Sequence, residues 1–213
     1  MVRNRRGGKR RMADKVYRYT ALEGIARKTL KEYDMSLVIG TPRAIPIDLI
    51  AEQYFGLRIE YHCLRKNGVI LGETIFDDAQ VPVYDTEAKC YTLIAAKRGT
   101  IILDASLLRS RTDGRLRFTL AHEVAHWIIH RELYTGSGHA AAHIRTSTDE
   151  DNMTERQADV LGTALIMPAN QVKRAYYRVR GTVPYDNMTI ELAKLFDVSR
   201  QAMGICLKTH SLL

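Results

Sequence analysis

The sequence has no long apolar run and very little cysteine. None of its 213 residues belongs to an uninterrupted apolar stretch of about 18 or more, which is the length that a membrane-spanning helix needs. Cys63, Cys90 and Cys206 are an odd number and form no C-x-x-C pair, so neither a disulfide framework nor a thiolate metal site is indicated. The N-terminus is basic but lacks the apolar segment of a secretory signal. We therefore expect a cytoplasmic protein with no membrane partner.

Acidic residues are almost missing from the first 18 positions. This segment holds eight of the 32 basic residues and one of the 24 acidic residues, so the remaining chain has 24 basic against 23 acidic residues. A concentrated charge of this kind predicts a disordered arm over residues 1–18 rather than a basic folded surface. A solvated tail and a nucleic-acid contact through residues 3–18 are both open interpretations.

The remaining chain, with 46% hydrophobic residues over the full length, is long enough for one globular domain with a small appendage. Short β-branched and aromatic runs precede most of the helical patterns, which predicts an α+β fold with a small, mainly antiparallel, meandering sheet. The predicted helices are 19–33, 47–55, 115–133 and 154–167, and the predicted strands are 57–61, 69–71, 74–76, 81–84, 91–94 and 100–104.

The helix predicted over 115–133 carries the motif His122-Glu123-Val124-Ala125-His126, an H-E-x-x-H pattern. Histidines four residues apart lie on one helical face, where both imidazoles can bind one zinc ion, and Glu123 beside them can accept a proton from a bound water. Chance would produce such a match in roughly one chain in a hundred of this length. The alternative is that both histidines are ordinary surface or hydrogen-bonded core residues.

A zinc peptidase needs a third protein ligand, and the extended metzincin motif does not supply one because Ile129 and Glu132 occupy its glycine and histidine positions. Glu155, near the start of the helix predicted over 154–167, is the better candidate. Asn152 to Glu155 also fits a helix cap with a capping glutamate, so ligand and cap both stay open.

Two further residues could support such a site. Asp159 lies one turn after Glu155 and could orient a ligating histidine through its free ring nitrogen. His130 lies one turn beyond His126 and is a candidate for contacting the substrate or its developing oxyanion, although a histidine at a helix end more often interacts with the helix dipole. His139 and His143 are expected in an exposed loop.

Several motifs in order resemble the ImmA/IrrE family of metallo-endopeptidases. The stretch Arg117 to His130 follows the family pattern R-F-T-L-A-H-E-x-x-H, and Glu155-x-x-Ala158-Asp159 follows E-x-x-A-(N/D). The sequence Ala164-Leu165-Ile166-Met167-Pro168 varies the common L-L-M-P ending, and the stretch 134–151 is longer than usual. The resemblance covers about residues 45–213.

The resemblance implies a zincin-like fold with one Zn²⁺ bound by His122, His126 and Glu155, and with Glu123 as general base. It also implies a protein substrate, a transcriptional repressor of the helix-turn-helix kind, cleaved in a stress or mobile-element response. On this basis residues 19–168 are predicted to form the metallopeptidase domain.

Residues 169–213 are predicted to form a C-terminal helical subdomain, in which 190–196 and 200–208 resemble a helix-turn-helix pair. The competing hypothesis is therefore a DNA-binding or protein-binding regulator with a structural or inactive zinc site. Arg200, Gln201 and Lys208 are few groups for reading DNA, which favours a packing or repressor-docking role.

Overall fold

The computed structural model of this chain describes residues 16–66, 70–109, 114–136 and 149–213. Residues 1–15 of the predicted basic arm lie outside these residues, as do the first residue of the strand predicted over 69–71 and both His139 and His143. Among the described residues, no helix is long and apolar enough to cross a membrane.

The strands of two small sheets follow one another in the middle of the chain, with helices before and after them. Three helices precede the sheets: α1 (Tyr19–Tyr33), α2 (Ser36–Ile39) and α3 (Ile47–Leu49), which continues as a π-helix over Ile50–Tyr54. The strands are β1 (Arg58–His62), β2 (Gly72–Thr74), β3 (Ala79–Asp85), β4 (Cys90–Ala96) and β5 (Thr100–Asp104), and a 3-10 turn follows over Ala105–Arg109. The later helices are α4 (Arg115–Tyr134), α5 (Asp149–Ile166), α6 (Ala169–Val179), α7 (Tyr185–Phe196) and α8 (Arg200–Thr209).

The strands form two sheets rather than the single meander that the sequence predicted. One sheet has the order β1-β5-β2, with β1 parallel and β2 antiparallel to β5, and β3 and β4 form a separate antiparallel pair. Every residue of β5 is buried, as expected for a central strand. The parallel partner of β5 lies about 40 residues earlier, and no local pattern reveals such a pairing.

The structure also moves one predicted strand. Runs at 69–71 and 74–76 were predicted as two strands, but β2 lies between them over Gly72–Thr74. Pairing of Gly72 with Leu103 and of Thr74 with Ile101 sets this position. Glu73, which the hydrophobic pattern left out, is buried within β2.

The long helix α4 is buried on two faces. Leu120, Val124 and Trp127 pack into the main core, where the Phe76 and Trp127 rings stack with centroids 6.0 Å apart. Its polar face, which includes Glu123 and His126, is buried too. The predicted span of 115–133 is confirmed, and the three-stranded sheet and α5 enclose the polar face.

The C-terminal helices share this core. Leu192 and Phe196 of α7 and Met203 of α8 belong to the same buried cluster as the apolar face of α4. The Arg117 guanidinium donates to Ile45 O at 2.7 Å and to Asp197 O at 3.0 Å. These bonds connect α4 to the segment before α3 and to the turn between α7 and α8. The division at residues 168 and 169, and the helix-turn-helix likeness of α7 and α8, stay predictions.

Candidate metal centre

The helix α4 carries the two histidines of the motif on one face. Because His122 and His126 are one turn apart, their rings meet, and their Nε2 atoms lie 3.0 Å from each other. His126 is 1% exposed and His122 is 13% exposed at the side chain, so both rings lie below the surface. The spacing in the sequence thus places two imidazole nitrogens at one point.

The helix α5 brings Glu155 to that point. Its Oε2 lies 3.3 Å from His122 Nε2, and its Oε1 lies 3.3 Å from His126 Nε2. Ligands at roughly 2.0–2.1 Å from zinc in a tetrahedral arrangement are about 3.3 Å apart, which agrees with these separations. The donor set of two imidazoles and one carboxylate therefore fits a zinc ion, and it leaves a fourth position, as catalytic zinc sites do.

The close approach of α4 and α5 depends on a glycine. A Cβ added at Gly162 would lie 3.0 Å from His122 N and 3.1 Å from Ala121 C and O. Ala158 is fully buried in the same contact. Small residues at positions 158 and 162 therefore let the two helices approach closely.

The start of α5 bears on the capping alternative. The helix begins at Asp149, so Asn152 lies inside it and Glu155 lies in its second turn. A capping glutamate acts three residues after the N-cap, within the first turn. The sequence misplaces the start of this helix because residues 149–152 are all polar and carry no apolar periodicity. Glu155 therefore faces the histidines from the body of the helix.

Asp159 contacts His122 on the other side of its ring. Its Oδ1 lies 2.8 Å from His122 Nδ1, as expected for a carboxylate that orients a ligating imidazole. Burial alone would lower the pKa of His122, but hydrogen bonds to Asp159 and Glu155 outweigh it and raise that pKa to about 10. The site thus attracts positive charge.

His130 lies behind His126 and not at an open surface. It is 4% exposed, its Nδ1 is 3.0 Å from His126 Nδ1, and its Nε2 is 3.4 Å from Gln157 Oε1. Burial, together with nearby His126, lowers the pKa of His130 to about 4, so its ring is neutral. This burial gives no support to a direct contact with substrate or oxyanion.

The carboxylate of Glu123 is held by β2. Glu123 is 2% exposed, and the Thr74 hydroxyl lies 2.7 Å from its Oε2 and 3.1 Å from its backbone oxygen. A Cβ on Gly72 would lie 2.6 Å from Glu123 Oε1, so only glycine leaves room for this carboxylate. The sequence alone does not reveal the roles of Thr74, Gly72 and Gln157, because contacts between residues tens of positions apart leave no local signal.

Comparison with known proteins agrees with this geometry. A peptidase family model described as the IrrE N-terminal-like domain matches residues 80–208, which is more than half of the chain and includes α4 and α5. No curated protein matches the sequence.

Proposed function

This chain belongs to the IrrE N-terminal-like family of metallopeptidases, and on that premise we propose that it is a zinc-dependent endopeptidase that cleaves a transcriptional repressor. The observation that carries the proposal is the meeting of His122, His126 and Glu155, whose donor atoms all lie within 4.8 Å of one another. These three residues would hold one Zn²⁺ per chain. Zinc in such a site supplies Lewis-acid chemistry, since it acidifies water and polarises a carbonyl oxygen.

Glu123 acts as the general base. Its carboxylate accepts a proton from the attacking water and then donates it to the leaving amine of the peptide. The Thr74 hydroxyl donates to Oε2 at 2.7 Å, so we assign the proton transfer to the other oxygen, Oε1, which lies beside Gly72. When Glu123 holds the proton, the Thr74 hydroxyl can turn to the backbone oxygen at 3.1 Å instead. Thr74 can therefore serve both protonation states of the base.

Asp159 and His130 are positioning residues. Asp159 accepts from His122 Nδ1, so Nε2 is the ring nitrogen that would bind the metal. His126 likewise donates from Nδ1 to His130 Nδ1, and neutral His130 then donates from Nε2 toward Gln157. Each ligand imidazole is thus held in the tautomer that binds a cation through Nε2.

Two substitutions test the site. Glu123→Gln keeps the shape of the side chain but removes the base, so we expect the variant to bind one zinc and to lose cleavage. Glu155→Ala removes a ligand, so we expect it to lose stoichiometric zinc, measured by elemental analysis after dialysis. If Glu123→Gln still cleaves at the wild-type rate, Glu123 is not the base. Glu132→Gln, on the same helix outside the site, is the matched control.

A repressor of the helix-turn-helix kind is the substrate that the family resemblance implies, and we propose that the two proteins meet in the cytoplasm. Co-expression with a repressor encoded beside the gene tests this directly, with the Glu123→Gln variant as control. Zinc-dependent loss of the intact repressor is the expected result, whereas an intact repressor in both strains would exclude it as the substrate.

The alternative is a regulator that binds DNA. We infer that α7 and α8 pack against the peptidase core instead, since Met203 and Leu207 of α8 are buried in it. DNA binding measured against salt concentration, for the full chain and for residues 19–213, separates the two functions. Tight binding by zinc-free protein would favour the regulator, and the shortened chain would show whether residues 3–18 contribute.

A further inference from the structure

An apolar cavity opens between the start of α4, the end of α5 and the α8 helix. Its volume is about 440 Å³, within the range of about 300–1,000 Å³ that is usual for ligand sites. Six large hydrophobic side chains line it, together with Ala202: Leu71, Phe118, Ile166, Met167, Val198 and Ile205. Arg115, Ser199 and Gln201 add polar groups. Ile205 is 59% exposed, so part of this apolar surface faces solvent.

The cavity adjoins the proposed metal centre through Asp159, although the three proposed metal ligands do not line it. Asp159 lines it, and the same carboxylate lies 2.8 Å from His122 Nδ1. Thr119 and Leu71 line it as well. Leu71 precedes Gly72 in the chain, and a Cβ added at Gly72 would lie 2.6 Å from Glu123 Oε1 and 2.9 Å from Thr119 Cγ2. A chain bound with its carbonyl at the metal ligands would therefore have a neighbouring side chain within reach of the cavity.

We propose that this cavity is a specificity pocket, which receives a large apolar side chain of the substrate next to the scissile bond. The proposal rests on the proposed peptidase function and adds the class of residue that the enzyme selects. Leucine, methionine and phenylalanine are the side chains that gain most from leaving water for such a lining. The α8 helix thereby contributes to the peptidase site rather than to a separate surface.

Hydroxamates test the pocket without a known substrate, because the hydroxamate group binds zinc while its alkyl chain reports on the surroundings. Binding of acetohydroxamate and of 4-methylpentanohydroxamate to the zinc-loaded full chain is measured by calorimetry. The longer compound adds four carbons that the cavity can bury, so we expect it to bind at least tenfold more tightly. Ile205→Arg places a charge in the lining and should remove most of this gain.

Two further variants make the result specific. Ala202→Phe fills the cavity with an apolar group and should also remove the gain, whereas Ile39→Arg changes an isoleucine that is 65% exposed outside the cavity and should leave it unchanged. Zinc content and circular dichroism establish that each variant is folded and loaded.

The outcomes separate this proposal from the one on which it rests. Failure of acetohydroxamate to bind the protein would remove the zinc site and the pocket proposal together. Equal binding of both compounds, or a gain that survives both cavity variants, would overturn the pocket while leaving the zinc site in place. A dimer that Ile205→Arg dissociates, detected by sedimentation, would show that a second copy of the chain occupies the cavity and would also overturn it.

Discussion

The contact between Gly72 and Glu123 makes a sharp prediction about catalysis. A Cβ on residue 72 would lie 2.6 Å from Glu123 Oε1, 2.8 Å from Glu123 Cγ and 2.9 Å from Thr119 Cγ2. Gly72 does not have a positive φ, so alanine meets a steric obstacle and no backbone strain. Gly72→Ala must therefore move the carboxylate, so we expect a slower catalytic step together with some loss of stability.

The displacement sets the size of the effect. Ordinary van der Waals contact begins near 3.4 Å, so the Glu123 carboxylate must retreat by about 0.8 Å, a shift that can lower a rate by roughly 10–100-fold. This corresponds to about 1.4–2.7 kcal/mol of transition-state stabilisation. Overpacking should also lower the free energy of unfolding by about 1–3 kcal/mol.

Cleavage of a tryptic peptide library, followed by mass spectrometry of the new termini, measures the rate without a known substrate. Zinc content should stay at one per chain, because Gly72 contacts no proposed ligand of the metal. Gly24→Ala is the control: it lies on the exposed side of α1 with nothing within 4 Å, so the rate should not change and stability should rise by up to about 1 kcal/mol. A Gly72→Ala enzyme with the wild-type rate and stability would refute the packing of Glu123 against β2.

Three other predictions concern the surroundings of the site. His130→Ala should weaken zinc binding by roughly 10–100-fold, measured by chelator competition, while His62→Ala should not, and equal affinities would remove His130 as a positioning residue. Arg117→Ala, which loses two hydrogen bonds to backbone oxygens, should lower the free energy of urea unfolding by about 1–3 kcal/mol, and an unchanged value would show that this link is not stabilising. The pKa of His122 is raised to about 10, above its unfolded value of 6.5. In zinc-free protein, the contribution of this protonated imidazole to the free energy of unfolding is therefore complete below pH 6.5 and is lost as the pH rises to 10. Urea unfolding of chelator-treated protein should therefore show stability falling over that interval, less steeply in Asp159→Asn, and parallel curves would contradict this origin of the shift.

Local spacing in the sequence predicted the residues of the site that lie on α4. A helical repeat of 3.6 residues places His122 and His126 one turn apart with Glu123 beside them, whatever the rest of the fold does. The bounds of α4 and α1 could be read from the same periodicity, because apolar faces that must be buried recur at that spacing. The ImmA/IrrE resemblance followed from motifs within these helices, and the family match agrees with it.

Only the tertiary structure decided which residues of other elements join those of α4 in the site. Glu155 could be a cap or a ligand from its sequence, and the earlier start of α5 together with its packing on α4 at Gly162 puts the carboxylate against the imidazoles. The pairing of β2 with β5 brings Thr74 and Gly72 against Glu123, which lies about 50 positions later in the chain. Periodicity describes what one element presents on its own surface. Which surfaces meet depends on strand pairing and helix packing, which are properties of the whole folded chain.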